Sequence, residues 1–573
     1  MSVDKSNKAH SPALACLGCL LAPVVYGRAC RKVAKSPCGC VMAVLLASAA
    51  PLFAAVEDPN DPMVIAKRAQ NAPRIIGETL EIGSQRELFC DSTIVNARLT
   101  TAERRLHHPE FVEEVLTLDK PWEGNACSYG SIVKDGDVYR VYYIANNSPM
   151  DAFASGKRDP SWDGIKICYA ETKDGRNWVR PNLGLYEFNG SWDNNILIFA
   201  DRKVNLDNQM VFKDENPECR PGEMFKAAIQ YTPPETGVCG LWLFAADEPT
   251  KLRRLREIRR AYIDNVCIDT QNVIFWDSVR KVYHLYTRGY HRNYTDRNGD
   301  DNVRDIRHAT SKDCVTWTDV EFLDFGPDAE DYSLYTSCIS PYERAPHIFV
   351  GFPTRYVERK AWSPSFDRLP DPEVRKAKMV ANPRYGLTLT DAIFMCSRDG
   401  RHFERYDEAF MSPACERKAS WLYGDCYLYY GRMITPGRHG ARDPELSFFS
   451  WRRYYDRGMT VLERYALRLD GFVSYYGDYA GKRVVTRRLK YVGEEMLLNF
   501  ATSARGFIRV RIVEAGTGYE VLSSEIFGNA TDRPIAFEKG SVGDLSGKPV
   551  TLEFDLSDAH VYSFRFQKNK TNK

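Results

Sequence analysis

From about Leu88 onward, apolar and polar residues alternate with a period of two in short runs, as in Phe507-Ile-Arg-Val-Arg-Ile-Val513 and Val550-Thr-Leu-Glu-Phe-Asp-Leu556. A period of two sends successive side chains to opposite faces, so each run predicts a strand with one buried face. Convincing helical spacing is scarce, and the expected class is all-β. Many runs come in pairs joined by a polar turn, such as Val133–Tyr143 and Ile274–Tyr286. A second kind of turn recurs as Ala170-Glu-Thr-Lys-Asp-Gly-Arg-Asn-Trp178, Ala309-Thr-Ser-Lys-Asp-Cys-Val-Thr-Trp317 and Met395-Cys-Ser-Arg-Asp-Gly-Arg-His-Phe403, with a degenerate relative at Phe244–Leu252. Asp–Gly suits such turns because Gly accepts positive φ and Asp bonds the turn backbone.

Two hairpins per period make a four-stranded antiparallel sheet, which cannot bury both faces alone; stacking several radially does so. Five units follow one another, over about Trp122–Pro181, Asn205–Arg256, Ile268–Phe322, Asp331–Tyr406 and Trp421–Leu469. They predict a five-bladed β-propeller over 115–470, preceded by a lead-in segment, 56–114, that would partly wrap the first blade. After Asp470-Gly471 the punctuation stops and short alternating strands continue, which predicts a C-terminal β-sandwich over 471–573.

The first 55 residues differ. A basic stretch, Arg28 to Lys35, precedes an apolar run from Val41 to Ala50 and small residues ending at Ala54-Ala55. That is the layout of a secretory leader and predicts export to the periplasm or cell exterior, with no stable membrane insertion once the leader is removed. The formal net charge of +2 becomes −3 without the leader, which holds six basic residues and one acidic residue. No basic stripe remains to suit a nucleic acid; the run Lys251–Arg260 reads as a solvated outer strand or turn. Five of the 16 cysteines also fall in the leader. Among the other eleven, Cys219 with Cys239 and Cys415 with Cys426 are near enough in sequence to pair, while burial as small apolar side chains accounts for most.

A five-bladed propeller carrying Ser/Thr-x-Asp-Gly-x-x-Trp turns and a trailing sandwich resembles the superfamily of glycoside hydrolase families 32 and 43. Trp122-Glu-Gly-Asn125, Asp269–Trp276, Arg344–Arg355 and Leu467–Val473 look like exported bacterial proteins described as family-32-like. The resemblance spans nearly all the chain after Leu88. It implies a carbohydrate substrate, hydrolysis by carboxyl groups and no required cofactor. The chain departs from family 32 in lacking the Trp-Met-Asn-Asp-Pro-Asn-Gly opening motif, and its Arg158-Asp159-Pro160 and Arg442-Asp443-Pro444 stand away from the family's expected place.

Propellers gather the heads of their innermost strands around one end of the central channel. The acids opening the five units are Glu123, Asp207, Asp269, Asp331 and Asp425. Glycoside hydrolysis needs a protonated acid beside the leaving oxygen and a carboxylate across from it. The three-carboxylate plan implied by the resemblance assigns Glu123 and Asp269 as the reacting pair and Asp331 as the orienting third group, with Asp207 and Asp425 in substrate binding. Arg344, His347 and Arg355 are expected to meet carboxylates or sugar hydroxyls, and Trp122, Tyr129, Tyr332 and Trp421 to flank the channel mouth. The same acids would also serve as turn caps, and several converging carboxylates suit Ca²⁺ in the channel. His-Glu-x-x-His, Gly-x-Ser-x-Gly, Walker and dinucleotide motifs are missing. A glycosidase is therefore the leading expectation, beside a sugar-binding propeller without hydrolysis and a structural cell-envelope propeller.

Overall fold

The computed structural model describes residues 79–148, 162, 164–200, 204–260, 266–292, 302–456 and 458–569. The expected leader, the first part of the lead-in and Arg158-Asp159-Pro160 lie outside the described residues.

Five antiparallel sheets form the blades. Blade 1 runs from its inner strand Ser128–Asp135 through Val138–Ala145 and Lys166–Thr172 to Ile196–Phe199, and blade 2 from Leu206–Lys213 through Phe225–Tyr231 and Gly240–Ala246 to Arg253–Arg260. Blade 3 has a broken inner strand, Val266–Cys267 and Val273–Asp277, followed by Val282–Arg292, Asn302–Ser311 and Glu321–Phe322. In blade 4, Ser340–Tyr342 pairs with Ala345–Gly351, which continues as Thr354–Glu358 along Thr388–Ser397, with Phe403–Met411 outside. Blade 5 consists of Met433–Thr435, Glu445–Arg452, Val461–Arg468 and, as its outer strand, Glu110–Thr117. Apolar clusters lie between neighbouring blades; one joins Val141, Ile167 and Val211 with Phe449 and Trp451, so blades 1, 2 and 5 share a core.

Ring closure has two devices. The N-terminal strand Glu110–Thr117 completes the last blade, so the two ends of the propeller are held in one sheet. At the axis, Ile132 N–H donates to the Tyr430 carbonyl at 2.8 Å and Tyr430 N–H to the Gly130 carbonyl at 2.9 Å. This approach admits no side chain at Gly130, where a Cβ would stand 2.0 Å from the Tyr429 ring.

The three expected Asp turns are built alike. Asp174 Oδ1 accepts the N–H groups of Arg176 and Asn177, Asp313 Oδ1 those of Val315 and Thr316, and Asp399 Oδ1 those of Arg401 and His402. In the degenerate copy Asp247 instead accepts from Gly222 N–H, a tie between neighbouring loops of one blade. The arginine-rich run forms the outer edge of blade 2, with Arg254 paired to Glu235 and Arg256 to Glu223.

The C-terminal region forms a second β unit whose long strands Glu495–Glu514 and Val550–Gln567 wrap an apolar core that includes Leu498, Ile512, Phe554 and Phe564. The described part of the lead-in, expected against blade 1, pairs instead with the C-terminal unit and with blade 5, and meets blade 1 through Glu113 and Arg176. Leu80–Gly83 pairs with Leu489–Tyr491, Glu87–Leu88 with Val550–Gln567, and Glu103–Leu106 with Val473–Gly477, so the sandwich is built from both ends of the chain. Among the described residues the α-helices form one excursion, Pro364–Arg368, Pro372–Ala381 and Arg384–Leu387, inserted in blade 4 between Thr354–Glu358 and Thr388–Ser397. Proline at the first turn of two of these helices is the sequence signal that marks them.

Candidate functional site

In a propeller, loops from the second to the third strand of each blade return to the face where the inner strands begin. Here that face carries the long connections, among them the helical insertion of blade 4 and the loop of blade 5 holding Tyr454 and Tyr455. The residues that meet there are Tyr129 of blade 1, Asp207 and Asn208 of blade 2, Asp269 of blade 3, Tyr335 of blade 4 and Tyr427 leading into blade 5. Asn208 Nδ2 donates to Gln230 Oε1 at 2.7 Å and reaches Asp269 Oδ1 at 3.4 Å. Arg288 Nη1 lies 3.5 Å from Asp269 Oδ2, with the guanidinium buried and the Asp269 side chain 38% exposed.

Below this layer the axis is closed by amides. Gln209 Nε2 donates to the carbonyls of Tyr129 and Tyr142, and Gln271 Nε2 to those of Gly130 and Gln209. Each glutamine follows its aspartate by two residues, so Asp207-Asn-Gln209 and Asp269-Thr-Gln271 place one carboxyl in the recess and one amide in its floor.

Tyrosines make the walls. Tyr335 stacks on Tyr356 at 5.5 Å, meets Tyr427 at 5.4 Å and carries the Arg288 guanidinium 4.0 Å above its ring. Tyr454 stands 4.4 Å from Tyr455 and stacks on Tyr423, which meets Tyr385 at 4.9 Å. Burial pushes the hydroxyls of Tyr129, Tyr335, Tyr454 and Tyr455 upward, so all four remain protonated donors.

Asp207 is only partly open to solvent and closed in on its other sides. Desolvation drives its carboxyl up to about 7; the Asn208 N–H, 2.8 Å from Oδ1, opposes that rise, and the Asp269 charge adds to it. The recess thus pairs an acid that holds its proton to neutral pH with a nearby carboxyl beside an arginine.

The remaining sequence-predicted residues lie elsewhere. Glu123 is fully buried in the loop entering blade 1, where Tyr143 OH donates to Oε1 at 2.5 Å, and Lys120 N–H and Arg180 Nη1 to Oε2 at 2.9 and 2.8 Å. Trp122 Nε1 joins the same cluster by donating to Asn195 at 2.7 Å. Asp425 is buried near the helical insertion and accepts from Leu422 N–H; burial lifts it to about 7, against the nearby Lys378 ammonium, which burial lowers to about 8. Asp331 is half-buried ahead of Tyr332, whose hydroxyl donates to Asp407 at 2.7 Å. Arg355 forks onto Asp391 across the blade 4 ladder, and Trp421 Nε1 donates to the Ala414 carbonyl.

Arg344 and His347 belong to the seam between propeller and sandwich. Arg344 Nη2 is 2.6 Å from Asp532 and His347 Nε2 is 3.1 Å from Glu87. Asp470 is the hub of that seam, accepting from Arg86 at 3.0 Å, Tyr342 at 2.7 Å and Ser563 at 2.6 Å. Asp443 of the second Arg-Asp-Pro accepts from Thr531 at the same junction. Two of the five strand-opening acids therefore reach the recess. The entry loops differ in length, and Tyr129, Asn208 and Cys426 take positive φ, which turns different residues inward in different blades.

Among the described residues, the one group of three metal-ligating side chains is Cys90, Asp91 and Cys396, away from the recess. Cys219, Cys239, Cys415 and Cys426 are free thiols in this structure, as are Cys90 and Cys396.

No family model and no curated protein matches the chain. Solved structures similar to it include a glycosyl hydrolase from Bacteroides ovatus, at 12% identity and a TM-score of 0.38, covering 63% of this chain and 93% of that one. A thermostable family-43 glycoside hydrolase has 12% identity and a TM-score of 0.36, covering 62% and 95%. An N-acetylgalactosamine deacetylase from F. plautii, in complex with blood group B trisaccharide, has 11% identity and a TM-score of 0.38, covering 63% and 94%. At these values the five-bladed assignment rests on the strand pairing above.

Proposed function

We propose that the chain is a glycoside hydrolase acting on a poly- or oligosaccharide in the tyrosine-walled recess, with Asp207 as proton donor and Asp269 as the partner carboxylate. The observation that carries this reading is Asp207, a partly solvent-open carboxyl lifted to about 7 next to a second carboxyl that touches Arg288. A general acid is most useful when its pKa lies near the working pH. Asp207 would give its proton to the glycosidic oxygen as the bond to the anomeric carbon breaks. A water hydroxyl then replaces the leaving group with Asp269 assisting, and the water's remaining proton restores Asp207. Tyrosine rings offer flat apolar faces to sugar C–H groups and hydroxyl donors to their oxygens. In this reading the five strand-opening acids narrow to Asp207 and Asp269, and Glu123 becomes a buried support of blade 1.

A second reading, a carbohydrate-binding propeller without hydrolysis, draws on Tyr129 and Tyr335 standing at strand heads where blades 1 and 4 were expected to supply acids. A panel of aryl glycosides and plant or algal polysaccharides separates the two. Turnover abolished by Asp207→Asn and by Asp269→Asn, with binding retained, is the expected result. Binding without turnover in the unaltered protein favours the second reading, and neither binding nor turnover refutes both.

A further inference from the structure

Cys90 and Cys396 lie 306 residues apart in sequence and meet at the propeller–sandwich seam, 1% and 0% exposed. Cys90 follows Glu87–Leu88, the short strand paired with the sandwich strand Val550–Gln567; Cys396 is in the third strand of blade 4. Their sulfurs are within 4.8 Å of each other, and Cys396 Sγ is 2.8 Å from the Cys90 carbonyl oxygen, close beside the Cys90 backbone. We propose that these two cysteines form a disulfide that staples the sandwich to blade 4. This inference is independent of the reaction in the recess.

To form the bond the sulfurs close from their separation of no more than 4.8 Å to about 2.05 Å. A metal is the competing use, with Asp91 as third ligand. The Asp91 carboxylate is already engaged, by Arg398 Nε at 2.6 Å on Oδ2 and by Thr93 N–H at 3.0 Å on Oδ1. Two thiolates and an occupied carboxylate fall short of the four ligands of a closed structural site. Bond formation is thiol–disulfide exchange with a protein or small-molecule disulfide as oxidant. One thiolate attacks the oxidant's S–S bond and releases a thiol; the second cysteine displaces the other half. Two electrons and two protons pass to the oxidant, which leaves as two thiols. Burial pushes the Cys396 thiol well above its usual range, so the exchange belongs to folding, before the seam closes, and the finished bond is shielded from reductants.

The test uses the full chain refolded in a glutathione/glutathione disulfide buffer, then denatured with an alkylating agent, digested without reductant and mapped by mass spectrometry. The expected product is a peptide pair joined through Cys90 and Cys396, two hydrogen masses below the sum of its parts. Reduction should lower Tm by several degrees, and this shift should vanish in Cys90→Ala/Cys396→Ala. Recovery of both cysteines fully alkylated, their linkage to other cysteines, or one equivalent of transition metal in the refolded protein would overturn the proposal.

Discussion

Replacing Asp207 with Asn tests the recess through stability alone, without knowledge of the substrate. Folded, the carboxyl titrates at about 7, against about 3.8 for an exposed aspartic acid. The folded chain therefore holds this proton more tightly than the unfolded chain. The group's contribution is fully favourable below about pH 4 and is lost as pH rises through 7. About three pH units at 1.36 kcal/mol each correspond to roughly 4 kcal/mol forfeited by pH 8. Asparagine keeps the shape and never ionises, but exchanges a carboxylate acceptor for a weaker one opposite the Asn208 N–H, a loss of about 1 kcal/mol. Asp207→Asn should thus lie about 1 kcal/mol below the unaltered protein at pH 4 and about 3 kcal/mol above it at pH 8, while losing activity. Urea unfolding of both proteins at pH 4, 6 and 8 measures the difference, in which groups common to both cancel. A difference that stays flat with pH refutes the raised pKa, and with it the reason for naming Asp207 the proton donor.

Glu123→Gln should change stability by no more than about 1–2 kcal/mol, because burial already lifts the Glu123 carboxyl against the Arg180 charge and Arg180 keeps Asp119 at 3.1 Å; turnover by the folded fraction should stay within a few-fold of normal, measured as kcat beside a urea midpoint. A collapse of kcat with full stability would return Glu123 to the reaction. At the seam, burial pushes Asp470 up, but the Arg86 and Arg344 charges outweigh it and hold the carboxyl below its ordinary value. Its contribution is therefore present above about pH 4 and lost as pH falls. Asp470→Asn should lower stability by about 3 kcal/mol at pH 7 and by a smaller amount at pH 3, as read from denaturant midpoints; equal losses at both values would refute the ion-pair account.

The strands, their hairpin turns and the count of five blades were legible because they are local: a period of two and an Asp-Gly turn are written within about ten residues. Asp174, Asp313 and Asp399 bond their own turns alike for that reason. The recess was half legible. Asp207 and Asp269 each stand two residues before a glutamine that seals the axis, a repeat visible in the text once its purpose is known. Glu123, Asp331 and Asp425 open their units in sequence but not in space, because loop length and positive-φ residues decide which side chain turns inward. The closing strand Glu110–Thr117, the sandwich drawn from both chain ends, and the contacts of Arg344 with Asp532 and His347 with Glu87 join residues tens to hundreds of positions apart. Periodicity along a chain carries no information about such pairings. They follow from which surfaces must be buried together once the ring closes, and only the tertiary structure decides that.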